Sequence, residues 1–173
     1  MRYLHSYTLL FSALLLLLPG CESMPGIEKS SLVELNRTAR ELQTAATSAD
    51  PCEVPDALLG KLISGIDAIR NKAVSQEEKN LVKAYANLLA TYHDGIVVCT
   101  ASRKLAQPFL PKGRIYVFQE LDPIVLKYGL STDSHVYEPT GVKWRSIPAD
   151  SIKVIWERAE NQLKNIENMV KYS

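Results

Sequence analysis

Two cysteines, Cys52 and Cys99, stand almost symmetrically about a helix-start signal at Ser75, one 23 residues before it and the other 24 after it. The chain on both sides is helical by its spacing. Pro55, suited to a first helical position, opens a run in which Leu58, Leu59, Leu62, Ile63, Ile66 and Ile69 give a broad apolar face, as a central helix would need. Ser75-Gln76-Glu77-Glu78 has the capping-box form. Leu81, Tyr85, Leu88, Tyr92, Ile96 and Cys99 then follow at steps of four, three, four, four and three. A connection of only a few residues folds these two helices into an antiparallel hairpin. Equal rise on both arms brings the two sulfurs to nearly the same height. A bond there would lock the open end of the hairpin, and closing a 47-residue loop is worth about 4 kcal/mol in the chain-entropy account.

Two further helices flank this hairpin. Ser31-Leu32-Val33-Glu34 repeats the capping-box form, and Leu32, Leu35, Ala39, Leu42 and Ala46 make one stripe on a helix of about 18 residues, stopped by Asp50-Pro51. The last helix begins near Pro148, with Ser146 or Ser151 as its cap, and runs about 22 residues. Ile152, Trp156, Ala159, Leu163, Ile166 and Val170 form its stripe, broadened by Ile155 and Met169. Small residues at Gly60, Ser64 and Gly65 are expected to admit a neighbouring helix, and Gly95 to bend the third one. The fold class is therefore mainly α: an antiparallel helical bundle of about four main helices, in a single domain over residues 31–173, with an irregular aromatic-rich crossover at 108–147.

The first twenty residues do not belong to that domain. Arg2 and His5 give a weakly positive start, and Leu9 to Leu18 is apolar apart from Ser12. Ten helical residues span about 15 Å, half of a roughly 30 Å hydrocarbon core. The segment is too short to cross a membrane and matches the apolar region of a secretory signal. Leu18-Pro19-Gly20-Cys21 closes it, and this tetrapeptide resembles the lipobox of bacterial lipoproteins, with Leu18 three positions before the cysteine and Gly20 directly before it. Pro19 departs from the Ala, Ser, Thr or Val usual between them. The resemblance covers only this leader. It implies that residues 1–20 are removed, that Cys21 carries lipid on its sulfur and amino group, and that residues 21–30 are a tether. Glu22, not Asp, follows the cysteine, which by the enteric sorting pattern implies the outer membrane, facing the periplasm. Two or three acyl chains, at about 0.8 kcal/mol per buried methylene, make a near-permanent anchor. An oxidising compartment then makes one Cys52–Cys99 disulfide the expected state, with two buried free thiols as the alternative.

Composition narrows the partners. Processing leaves 153 residues, enough for one real core. The whole chain has 20 basic and 19 acidic residues, and loss of Arg2 makes the balance even, which argues against nucleic acid or a broad acidic-lipid surface as partner.

Residues 108–148 differ from the rest. Five prolines (108, 111, 123, 139 and 148) interrupt any long helical period. Asp122-Pro123 starts one short helix through Tyr128 that ends at Gly129, and Arg114–Phe118 reads as a short strand or extended strip. Six of the ten aromatics beyond the leader fall here: Phe109, Tyr116, Phe118, Tyr128, Tyr137 and Trp144. The segment is either a lid that finishes the core or a binding surface, since aromatics concentrate at interfaces. Tyr116, Phe118, Tyr128, Tyr137 and Trp144 are the candidate partner or ligand surface.

Little in the sequence points to chemistry. The histidines beyond the leader are His93 and His135. Ser131-Thr132-Asp133-Ser134-His135 reads first as a turn rich in capping side chains, because neighbours in sequence do not make a triad. His93-Asp94 reads as helix surface. No catalytic residue, metal site or cofactor is expected, since zinc wants three or four convergent ligands and no phosphate-loop spacing occurs. The expected role is non-enzymatic: binding, positioning or assembling another envelope component, most naturally a protein. Two alternatives remain, a carrier of an apolar ligand and an envelope hydrolase. A protein binder needs an exposed aromatic patch and a carrier a closed apolar cavity. A hydrolase needs a cleft where His135 or His93 meets a carboxylate or hydroxyl.

Overall fold

The computed structural model describes residues 26–48, 52–104 and 113–172. Cys21 with the whole leader, and Phe109 in the crossover, lie outside the described residues. The elements are α1 (Lys29–Ala46), α2 (Asp56–Arg70), α3 (Gln76–Lys104), β1 (Arg114–Val117), α4 (Asp122–Tyr128), β2 (Asp133–Tyr137), β3 (Val142–Pro148), a 3-10 turn at Ala149–Ser151, and α5 (Ile152–Tyr172). The chain is mainly helical.

The apolar stripes do the packing. Leu32, Leu35, Ala39, Leu42 and Ala46 of α1 are buried, as are Leu81, Tyr85, Leu88, Tyr92 and Cys99 of α3, and Ile152, Ile155, Trp156, Ala159, Leu163 and Ile166 of α5. They form one contiguous cluster. Polar tips of long core residues find partners on the next helix. The Tyr85 hydroxyl donates to Asn36 Oδ1 at 2.8 Å, and the Tyr92 hydroxyl lies 3.0 Å from Gln43 Oε1 and 3.2 Å from the Ala39 carbonyl. Burial raises both phenols above their ordinary pKa, so they stay neutral donors. Arg40 pairs with Glu167 at 2.6 Å, tying α1 to α5.

Several local expectations need correction. The helix start at Ser75 forms as read: Ser75 Oγ accepts from Glu78 N–H at 3.1 Å, and Glu78 Oε2 accepts from Ser75 N–H at 2.9 Å. The one at Ser31 does not, because the cap position falls three residues earlier, at Glu28, and α1 begins at Lys29 with no side-chain cap. Pro55 caps α2 and does not occupy its first turn. Ile63 is exposed, and only Leu62, Ile66 and Ile69 are buried, so α2 covers one side of the core rather than its centre. Gly65 does receive Leu35, whose Cδ1 lies 2.6 Å from where a Cβ would stand, but nothing approaches Gly60. Ser146 lies in β3 and Ser151 in the 3-10 turn before α5. Cys52 and Cys99 are bonded, with Cα atoms 5.2 Å apart, and join the segment just before α2 to the far part of α3.

The largest correction concerns the crossover. From residue 113 onward it is not irregular: β1, β3 and β2 form a three-stranded antiparallel sheet in that order, with α4 inserted. Ile115, Val117 and Ile147 press its inner face into the core, beside Ile124 and Val125 of α4. Gly129, at φ 60°, ends α4 in the left-handed conformation that glycine adopts without cost.

Candidate functional site

Strand register decides which crossover side chains meet. Tyr116 and Asp133 both oppose Ser146, His135 opposes Trp144, and Tyr137 opposes Val142. Side chains directly opposite share a sheet face, so Tyr116, Trp144, Ser146, Asp133, His135 and Tyr137 all lie on the face turned away from Ile115 and Ile147. Trp144 is its centre. The His135 imidazole stacks on the indole with ring centroids 3.9 Å apart and planes at 19°, and the Tyr116 ring lies 6.0 Å away at 38°. Tyr116, His135 and Trp144 are half-buried, and Tyr137 is exposed.

A polar base fixes these rings. Ser146 is fully buried. Its Oγ accepts from Arg114 Nε at 3.0 Å and lies 2.8 Å from His135 Nε2. Arg114 also pairs with Asp133 through Nη2 and donates to the Ser146 carbonyl at 3.4 Å. The hydroxyl has one hydrogen to give and two lone pairs, so after accepting from Arg114 it can serve His135 Nε2 as donor or as acceptor, according to the imidazole tautomer. Arg114, Ser146 and His135 thus bridge all three strands beneath the rings. A serine hydroxyl within hydrogen-bond reach of a histidine is also the first contact of a nucleophile and its base. Here the hydroxyl is sealed from solvent, and Asp133 is engaged by Arg114.

The remaining candidates lie apart. Phe118, just past β1, is half-buried and lines a groove of about 560 Å³ with Tyr116, Ile96, Val97 and Ala101. Tyr128 is not on the sheet. It sits on α4, where its hydroxyl donates to Asp94 Oδ2 at 2.9 Å while Lys127 pairs with the same oxygen at 2.6 Å. Burial foremost, with the Asp94 hydrogen bond adding to it and the Thr91 bond opposing, holds the Tyr128 phenol above its ordinary pKa, and the Asp94 hydrogen bond raises that of Lys127. Beside them a polar cleft of about 520 Å³ separates α3, α4 and α5, with Asn87, Arg158, Asn161 and Gln162 on its walls. Both spaces are open to solvent. His93 is exposed on α3.

Sequence reading picked out the aromatics but not Arg114, Ser146 or Asp94. An arginine four residues before Phe118 and a serine two after Trp144 carry no signal until the register aligns them. Among the described residues, no group of three or more His, Cys, Asp or Glu side chains gathers as a metal site would require, and no helix is long and apolar enough to cross a membrane. The chain matches no protein-family model, no curated protein and no solved structure with which it was compared.

Proposed function

We propose that this chain is a lipoprotein held at the periplasmic face of the outer membrane through Cys21. Its domain is an antiparallel bundle of four main helices, and its role is to bind and position another envelope protein, with no reaction of its own. The observation that carries this reading is the Trp144 indole, stacked on His135, flanked by Tyr116 and supported by the buried Ser146 and its half-buried partner Arg114. Aromatic rings held rigid on an outward face lose little entropy when a partner covers them, which is how hot spots gain their energy. Polar groups at the same face, Asp133 and the Tyr137 hydroxyl, suit a protein rather than a lipid chain. The even charge balance weighs against nucleic acid.

Of the alternatives, the hydrolase draws on the 2.8 Å approach of His135 to Ser146. Against it stands the burial of that hydroxyl, which no substrate carbonyl reaches without opening the sheet. Crosslinking in intact envelopes, followed by purification of the wild type and of Trp144→Ala and Tyr116→Ala variants, tests the binding reading. Loss of the same crosslinked protein in both variants is the expected result. An unchanged set of partners in both overturns it.

A further inference from the structure

The first described residues of the chain are held at one defined place. Glu78, in the first turn of α3, accepts backbone N–H groups from Val74 at 2.8 Å and Ser75 at 2.9 Å through Oε2, and from Ile27 at 2.7 Å through Oε1. Ile27 packs its side chain on the core, and Gly26 lies so near the carboxylate that a Cβ would stand 3.2 Å from Glu78 Cδ and nearer still to Oε1. Lys72 adds a 2.8 Å ion pair to Glu28. Residues 26–28 are therefore fastened to the turn between α2 and α3. Four residues, 22 to 25, separate this fastening from Cys21, and the five steps from 21 to 26, at roughly 3.6 Å each, reach no more than about 18 Å. The sheet lies at the other end. From Gln76 to Cys99, α3 rises about 35 Å, and Tyr116 and Phe118 pack beside Ile96 and Ala101.

The two ends also differ in chemistry. The turn end exposes Val74, which is 51% exposed, together with Lys29, Arg70, Lys72 and Lys79; Arg70 pairs with Asp67 and Lys72 with Glu28, and Glu77 and Glu78 make the charge of this end even. A charge-balanced end with an exposed valine meets zwitterionic headgroups without repulsion, and the long lysine and arginine stems can lie along the layer with their charge at phosphate depth. The sheet end carries the stacked aromatics.

We infer that the anchored protein stands on the bilayer with the α2–α3 turn against the headgroups and the aromatic sheet face directed away, about 35 Å beyond the turn. This rests on lipidation of Cys21. It adds the orientation and the lipid-facing surface, and it fixes the height at which a partner is met.

The test uses the full lipidated chain in vesicles of phosphatidylethanolamine and phosphatidylglycerol. A photoreactive phenylalanine replaces Val74 in one variant and Thr140 in another; both positions are exposed. Lipid adducts at position 74 and none at position 140 are expected. A third variant carries a long Gly-Ser insertion between Glu22 and Pro25, and should lose that contrast. Equal labelling at both positions, or stronger labelling at 140, overturns the orientation when mass spectrometry finds the acyl chains on Cys21. Protein whose Cys21 carries no acyl chain overturns the lipoprotein reading itself, and the orientation with it.

Discussion

Trp156 occupies the space that a side chain at Gly95 would need. A Cβ built on Gly95 would stand 2.7 Å from Trp156 Cζ2 and closer to Cζ3 and Cη2. The indole is itself held, 3% exposed, with Tyr92 at 6.2 Å between centroids. Gly95 thus serves the approach of α5 to α3, where the sequence suggested a bend. In an open helix, Gly→Ala gains about 1 kcal/mol. Overpacking a fixed ring costs about 1–3 kcal/mol, so Gly95→Ala is expected to lower stability. Thermal or urea unfolding reads the sign, and an unchanged or higher Tm would mean that the indole yields freely.

Gly60 supplies the opposite case. It lies within α2, its φ is not positive, and nothing stands within 4 Å of an added Cβ. Gly60→Ala should raise stability by about 0.5–1 kcal/mol, since alanine restricts the unfolded chain and clashes with nothing. Measured side by side, the two glycine variants should shift the urea midpoint in opposite directions.

Breaking the Cys52–Cys99 bond opens a loop of 47 residues. Chain entropy assigns that closure about 4 kcal/mol, a large share of the stability of a domain this size. Paired Cys52→Ser and Cys99→Ser substitutions, or added reductant, should therefore lower the urea midpoint strongly. A loss below about 1 kcal/mol would mean that residual structure already restrains the unfolded chain.

Ser146 is buried between two donors or acceptors of opposite strands, Arg114 on β1 and His135 on β2. Ser146→Ala removes the partner of both and should cost about 1–3 kcal/mol. It should also free His135 from its position under the indole. In an NMR spectrum, the Trp144 indole N–H should shift while that of Trp156, in the helical core, holds. A shift of equal size at both would place the damage in the global fold rather than in the sheet.

These cases show why helices were legible and the sheet was not. Leu81, Tyr85, Leu88, Tyr92 and Cys99 repeat one period over five turns, so each supports the others. In β3, Val142 and Trp144 alternate with Lys143 and Arg145, but the buried apolar residue that follows, Ile147, points to the opposite face. The strand turns its solvent-side aromatics outward and only its last part inward. β2 is exposed along almost its whole length and carries no apolar alternation. Strands of this kind are specified by partners distant in sequence, Arg114 to Ser146 being 32 residues apart. Tyr128 was grouped with Trp144 by composition alone, whereas α4 carries it to Asp94 on α3.

Glu78 gives the fold a measurable acid limb. Its carboxylate accepts from three backbone N–H groups, Ser75 foremost, then Ile27 and Val74, and these hold its pKa below the ordinary 4.5. A group depressed in the folded state stabilises it above the unfolded pKa and loses that contribution as pH falls through the folded one. Glu78→Gln keeps an acceptor near the turn but not the charge. The Tm of wild type minus that of the variant should therefore be positive at neutral pH and shrink on acidification below about pH 4. Glu28 is likewise lowered, by the Lys72 hydrogen bond, and because both proteins retain it the subtraction removes it. A difference that stays constant down to low pH would mean that glutamine disturbs the packing of Ile27 on the turn, and that the charge of Glu78 contributes nothing.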